Sequence, residues 1–263
     1  MDINTDEIIA LIREAGQIIE DRSLASLITE KGEADYVTEV DLRVEKFIES
    51  KLKDLYPDIQ FMGEEKSNRD LDFDGMFWVL DPVDGTTNLI HDYKQISISL
   101  ALVVKREIVL GFVFNPSTDE MFFAKKGHGA YLNNKKIHVS NVKSLSKSLI
   151  SVGTSPYQKE LGEYNFKTIL DIFMECQDIR RLGSAALDLA YTACGRTEGF
   201  FEKRLKLWDY AAGVLLVEEA GGRASDYNGN ALGLKETSEI LVSNGKVHDE
   251  LIAILNNSPS PKL

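Results

Sequence analysis

Cysteine and histidine are scarce in this chain of 263 residues, which has two of the first and four of the second. Cys176 and Cys194 form no CxxC pair, so a disulfide scaffold and a thiolate zinc site are both excluded. The pattern implies a reduced, cytosolic setting in which both thiols are expected to be buried. His91, His128, His138 and His248 show no zinc spacing, which leaves carboxylate oxygen as the donor for any metal. Basic residues are outnumbered, 30 to 42, and the formal charge of −12 argues against a general binder of nucleic-acid backbones. An acidic protein can still handle anionic substrates where metal ions reverse the local sign. Long apolar runs are missing too. The longest, Ile96 to Val104, ends at Lys105-Arg106-Glu107 and cannot span a bilayer. The opening Met1-Asp2-Ile3-Asn4-Thr5-Asp6-Glu7 is too acidic for a secretory signal. These features imply a soluble intracellular protein. There are no repeats or low-complexity tracts, and no D-x-[DN]-x-[DN]-G loop that would mark a calcium sensor.

What the chain does have is 43% apolar residues, enough to bury one large domain or two intimately packed halves. Asn4-x-x-Glu7 resembles a capping box ahead of Ile8, Ile9, Leu11, Ile12, Ala15, Ile18 and Ile19 at helical spacing. A second helix is expected from Thr38 to Leu55, ended by Pro57, with a charged and mobile loop from Thr29 to Asp35 before it. Ile59 to Met62 and Phe77 to Leu80 read as strands, and Ser97 to Leu132 as an antiparallel meander turning at Lys105-Arg106 and Asn115-Pro116-Ser117. After Val142 helices and short strands alternate. Leu149 to Val152, Gly199 to Phe201 and Ile240 to Val242 are strands. Tyr164 to Cys176, Ala185 to Cys194, Asp209 to Ala220 and His248 to Leu255 are helices. Ser258-Pro259-Ser260-Pro261 reads as a frayed tail. The fold class is α+β, with an α+β half over 1–142 and an α/β half over 143–263 forming one unit.

Acidic residues gather at the ends of these elements. Glu64 and Glu65 follow one strand. Asp81-Pro82-Val83-Asp84-Gly85-Thr86-Thr87-Asn88 follows another, which is expected to stop at Asp81 because Pro82 removes a backbone donor. Gly85 permits a close turn, and Thr86 or Thr87 can open a helix whose free N–H groups attract an anion. Asp-Gly is also a common turn signal, and Asp209, at the head of a helix, is equally placed to cap it. What joins the three clusters is cost: like charges packed together repel, and a shared Mg²⁺ is a reason to keep them.

Gly63-Glu64-Glu65, the Asp81 to Asn88 segment and Trp208-Asp209-Tyr210-Ala211-Ala212-Gly213 together resemble the three signature segments of the inositol monophosphatase family, in order and at family-like spacing. The resemblance covers nearly the whole chain. It implies a layered αβαβα sandwich of the inositol monophosphatase and fructose-1,6-bisphosphatase type, Mg²⁺-dependent phosphomonoester hydrolysis, lithium sensitivity in many members, and a homodimer. It assigns one metal to Glu64, Asp81 and the carbonyl of Val83, and a second to Asp81, Asp84 and Asp209. A third, weaker ion lies near Glu64 and Glu65, the latter also counted with the catalytic residues. Val83 stands where isoleucine is common, which costs nothing if only its carbonyl is used. Asp35-Tyr36-Val37-Thr38-Glu39-Val40-Asp41 is similar to the family's Asp-x-Val-Thr-x-x-Asp, which sets Asp41 beside the catalytic Thr86. Thr38-x-x-Asp41 is also a capping-box pattern.

On the substrate side, the resemblance implies that Gly85 and Thr86 hold the phosphate. Gly183, Ser184, Ala185, Glu202 and Asp209 would meet the hydroxyls of a small phosphorylated polyol. Lys203-Arg204-Leu205-Lys206 reads as a basic loop, with Arg180-Arg181 nearby. It is either a solvated surface or the seat of a second phosphate, as in fructose 1,6-bisphosphate, NADP or a 3′-phosphonucleotide.

Overall fold

The computed structural model describes residues 3–32 and 35–257. The first half begins with helices α1 (Thr5–Ile19) and α2 (Arg22–Ala25), hairpin β1 (Ile28–Gly32) and β2 (Asp35–Thr38), and α3 (Glu39–Leu55). Strands β3 (Gln60–Gly63) and β4 (Met76–Asp84) lead to the short α4 (Thr86–Ile90). Then come β5 (Ser97–Val104), β6 (Glu107–Asn115), β7 (Glu120–Lys125), β8 (Gly129–Leu132) and β9 (Lys135–Ile137). The second half runs β10 (Leu149–Val152), α5 (Gly162–Phe173), β11 (Asp178–Arg180), α6 (Ala185–Ala193) and β12 (Gly199–Lys206). It ends with α7 (Leu207–Glu219), β13 (Arg223–Ser225), β14 (Thr237–Ser243) and α8 (His248–Asn257).

Strands β3 to β9 form a seven-stranded sheet in chain order, and the other large sheet has five strands ordered β11-β10-β12-β14-β13. Alternating side chains explain the layers. On β4, Trp78 and Leu80 join Ile8, Ile12, Val44 and Ile48 of α1 and α3 on one face. Phe77 and Val79 face the other way, against Leu189 and Leu216 of α6 and α7. The same middle helices bury Phe200, Ile240 and Val242 of the five-stranded sheet. The far face of that sheet, with Phe201 and Leu241, packs on Ile169 and Ile172 of α5 and Leu251 of α8. The stack is therefore helix, sheet, helix, sheet, helix, the layered α+β arrangement expected. Because α7 lies between two sheets, its apolar residues run all round it.

Several expectations are corrected. The Thr29 to Asp35 segment is not a plain loop: β1 and β2 pair antiparallel from Ile28↔Thr38 to Gly32↔Asp35. Strand β4 does not stop at Asp81 but continues to Asp84 through a register shift opposite β5. Cys176 and Cys194 are free but only half-buried. Asn4 accepts from the Glu7 N–H, as a cap should, but its own N–H goes to the Tyr56 hydroxyl at 3.0 Å, so the box closes on one side only. The Ser258 to Pro261 tail lies outside the described residues.

His248 is fully buried, with Ser225 Oγ 2.8 Å from Nε2 and Ser243 Oγ 2.9 Å from Nδ1. Burial, with Arg223 nearby, lowers its pKa from 6.5 to about 4. The unfolded chain therefore binds the proton first, so His248 withdraws stability as pH falls from about 6.5 toward 4. The loss at the acid end is about 3 kcal/mol at 1.36 kcal/mol per unit. Urea denaturation at pH 7 and pH 4.5 should show this drop in the native chain and a smaller one in His248→Gln.

Candidate active site

The register shift in β4 is what makes a site from the Asp81 segment. Asp81 pairs with Ser99 and Asp84 with Ser97, so two residues, Pro82 and Val83, stand opposite one on β5. In a regular strand Asp81 and Asp84 would point to opposite faces; the extra residue turns both toward the middle layer. Pro82, with no N–H, fits the unpaired position. Val83 instead packs with the α1 and α3 core. Gly85 then turns the chain at φ +101°, where a Cβ would lie 2.9 Å from the Gln95 carbonyl and 3.2 Å from that of Gly183. No L-residue is comfortable there.

Around this turn lies a cavity of about 680 Å³. Its wall brings together Glu64, Asp81, Val83, Asp84, Gly85, Thr86, Gly183, Ser184, Ala185, Glu202 and Asp209. They come from the turn after β3, the end of β4, the start of α4, the start of α6, the bulge of β12 and the first turn of α7. Asp84 accepts from Ser184 Oγ and the Ala186 N–H, both at 2.6 Å, which ties β4 to α6. Asp209 is the third residue of α7, and it accepts from the Lys206 N–H at 2.7 Å. Among the described residues no three Asp, Glu, His or Cys side chains are already drawn to one point. The acids line a shared cavity with some oxygens held by hydroxyl and amide donors.

Two predicted residues sit behind the wall. Asp41 is fully buried. One of its oxygens accepts from the Thr38 N–H at 2.8 Å and from the Thr38 hydroxyl. The other accepts from Thr86 Oγ1 at 2.9 Å. The capping box and the contact with Thr86 are thus one arrangement, each using one oxygen. Thr86 Oγ1 also lies 3.2 Å from the Val83 carbonyl. Glu65 does not line the cavity. Its carboxylate is bound by Lys31 at 2.7 Å, and its N–H donates to Glu45 at 2.9 Å. Lys31, on the β1–β2 hairpin, also stands 3.6 Å from Glu64 and reaches the cavity.

The electrostatics follow from burial of like charges. Burial, then Glu64, Asp84, Asp209 and Asp41, push the Asp81 carboxyl well above the usual range. Asp209 is raised in the same way by burial, Glu64 and Asp84. Glu64 is pushed up to about 8 by burial, with Lys31 opposing. Asp84 rises to about 6, its hydrogen bonds from Ser184 and Ala186 opposing burial. Acids held this close in a low-dielectric pocket must either keep protons or share a cation. All-oxygen donors, mostly carboxylate, suit a hard divalent ion.

The basic loop is corrected here. Lys203 to Lys206 belong to β12, which shifts register against β14 between Glu202 and Leu205. Lys203 is buried, bonded to Glu239 at 2.6 Å and set over the Tyr164 and Tyr227 rings, so its charge is already spent. Lys203 lines the cavity all the same, together with Arg181, Arg204, Lys206 and Lys159, whose charges are not held by Glu239.

At the site, two buried carboxyls escaped the sequence reading. Glu45 of α3 supports the Glu64-Glu65 turn from behind, and burial raises it to about 7. A Cβ on Gly63 would fall 2.3 Å from its carboxylate, so glycine there is a packing need. Asp188, on α6, is 2% exposed and lines the cavity. The available signal was α6 itself, so apolar throughout that an aspartate in it has no polar face to occupy.

The same residues are matched by the model of the inositol monophosphatase family, over residues 4–260. The chain belongs to the inositol monophosphatase family. It is 40% identical over 229 residues to the inositol-1-monophosphatase of Rhizobium meliloti, covering 86% of this chain and 84% of that protein. It is also 42% identical over 205 residues to Nus factor SuhB of Xylella fastidiosa, covering 77% and 73%. The structure of the extragenic suppressor protein suhB from Bartonella henselae superposes with a TM-score of 0.90 at 32% identity, covering 97% of this chain and 99% of that one. Inositol monophosphatase membership supports a phosphatase acting on a small phosphorylated substrate.

Proposed function

We propose that this protein is a Mg²⁺-dependent phosphomonoesterase that hydrolyses inositol monophosphate by direct attack of water on phosphorus. The observation that carries the reading is the convergence of Glu64, Asp81, Asp84 and Asp209 on one cavity, each carboxyl raised by burial among its neighbours. Glu64, Asp81 and the Val83 carbonyl would hold one ion, and Asp81, Asp84 and Asp209 a second. A third, weaker ion would lie near Glu64, without Glu65, whose carboxylate is bound by Lys31. Bound Mg²⁺ supplies positive charge against the phosphate oxygens and makes water more acidic.

The chain's own groups do the rest. Backbone N–H groups at Gly85 and Thr86 face the phosphate. Thr86 Oγ1, donating to Asp41, keeps its lone pairs free to accept from the attacking water, and Asp41 draws the proton onward. Ser184, Glu202 and Asp209 meet the hydroxyls of the alcohol, with Gly183 and Ala185 letting it approach closely. Glu202 is set for this: its Oε1 accepts from the Ser155 N–H at 2.8 Å, and a Cβ on Gly153 would lie 2.0 Å from its carboxyl carbon. Thr86→Ala and Asp41→Asn should each lower kcat by ~10²-fold or more, the scale of general base catalysis, with folding kept. Phosphate release by both near the native rate would end the assignment.

The halves 1–142 and 143–263 act as one catalytic unit, since each supplies part of the wall. The free thiols support a cytoplasmic setting. A stripe of exposed Phe166, Leu170 and Phe173 on α5, with Met174 just past its end, supports a homodimer. Among the described residues no helix is long and apolar enough to cross a membrane.

A second reading rests on Arg181, Arg204, Lys206 and Lys159 at the cavity wall: fructose 1,6-bisphosphate, NADP or a 3′-phosphonucleotide as substrate. SaIMPase-II, 31% identical, has been solved both with inositol monophosphate and with 2′AMP. Phosphate release from all these substrates, with Mg²⁺ and with EDTA, separates the readings and tests for an enzyme at all. The double charge reversal Arg204→Glu, Lys206→Glu should cost bisphosphate and nucleotide substrates about tenfold more than inositol monophosphate, as lost contacts to a second phosphate would. Equal losses on both classes would remove the second reading.

A further inference from the structure

Asp188 stands apart from the four carboxylates expected to hold metal. It sits one helical turn beyond Ser184 on α6, lines the cavity and is 2% exposed. Its Oδ1 has no hydrogen-bond partner. The Ser151 hydroxyl, on β10, lies close enough to draw the Asp188 carboxyl down, yet burial outweighs it and raises the group well above the usual range. The Ser151 Oγ is itself buried without a partner. A buried carboxylate oxygen and a buried hydroxyl without partners cost roughly 1–3 kcal/mol each. Such a cost persists where function needs the groups.

The neighbour that gives this a meaning is Glu202. It lines the same cavity, and its charge helps burial raise the Asp188 carboxyl. Arg181, at the wall, offsets both. The non-metal side of the pocket therefore presents two acids from different elements, β12 and α6, not one. Each carboxyl can accept from one hydroxyl, and the protonated one can also donate. A pair of this kind matches two neighbouring hydroxyls on a ring.

We infer that Asp188 is a substrate-binding residue that, together with Glu202, reads two hydroxyls of a polyhydroxylated alcohol, so that polyol phosphates are selected over phosphates of plain alcohols. The inference rests on the phosphatase reading above. It makes Asp188 a determinant of specificity, with no part in the attack on phosphorus.

The test is a matched pair of substrates, inositol 1-phosphate and cyclohexyl phosphate, which share a ring and differ in hydroxyls. Phosphate release with Mg²⁺ is measured for the native protein, Asp188→Asn and Asp188→Ala, with melting temperature as the check on folding. Asp188→Ala should lose about 10- to 100-fold in kcat/KM on inositol 1-phosphate, the range expected for a hydrogen bond to a buried polar or charged group. That loss should exceed its loss on cyclohexyl phosphate at least tenfold and fall mainly on KM. Asp188→Asn, which still donates and accepts, should recover most of it. Equal losses on the two esters, or a recovery of melting temperature by Asn without recovery of the substrate ratio, would overturn the inference. Native protein releasing phosphate from neither ester would instead sink the phosphatase reading itself.

Discussion

Asp81→Asn is expected to lower Mg²⁺-dependent phosphate release by ~10³-fold or more while leaving the metal-free protein as stable as the native one, or more so. Losses of 10²–10³ are typical for removing one preorganised electrostatic contact, and Asp81 is assigned to both ions. The opposite direction in stability has its own cause. Asp81 is 2% exposed and lies among Glu64, Asp84, Asp209 and Asp41, all of which raise it. Asparagine keeps the shape and removes the charge, so a repulsion disappears with the activity. Phosphate release and thermal melting in EDTA at pH 8 measure the two effects. Retained turnover, or a clear fall in melting temperature, would contradict the placement of Asp81 at the centre of the site.

The second large effect is on the pH dependence of the metal-free protein. Glu64 is raised from 4.5 to about 8. A raised acid contributes its stability below the unfolded value and loses it as pH climbs through the folded one. In EDTA, stability should therefore fall between about pH 4.5 and pH 8. A quarter of the Glu64 side chain is exposed, so solvent screens part of the full linkage, leaving about 2–3 kcal/mol. Mg²⁺ displaces the protons, so its stabilisation should be larger at pH 8 than at pH 5. Differential scanning fluorimetry at both pH values, with Mg²⁺ and with EDTA, reads this directly. A shift of equal size at both, or none, would count against cation binding by these acids. Because His248 acts in the opposite direction below about pH 6.5, the comparison is cleanest in His248→Gln.

Much of this architecture was legible from local pattern. Asn4 and Thr38 cap their helices as read, and Ser184, read as a substrate contact, caps a third. The meander from Ser97 to Leu132 follows its alternation and its turn at Lys105-Arg106, where both residues take positive φ. Misreadings fell where a local rule met a tertiary one. Pro82 ends most strands, but here an unpaired bulge position accepts it. Lys203 to Lys206 read as a free basic loop because charge in sequence carries no record of burial. Glu239 and two tyrosine rings take up Lys203 only once β14, α5 and the chain after β13 are in place.

The amino-acid sequence by itself determined the order and chemistry of the acidic segments, the helix starts and the alternation that makes two sheets. These depend on periods of two and 3.6 residues and on capping groups within a few positions. Only the tertiary structure decided that Asp81 and Asp84 share a face, that Asp41 reaches Thr86 across 45 positions, that Glu45 is buried behind the cavity and that Asp188 lines it. Those outcomes depend on sheet register and layer stacking. They are set by burial summed over the whole chain, which no short stretch of residues encodes.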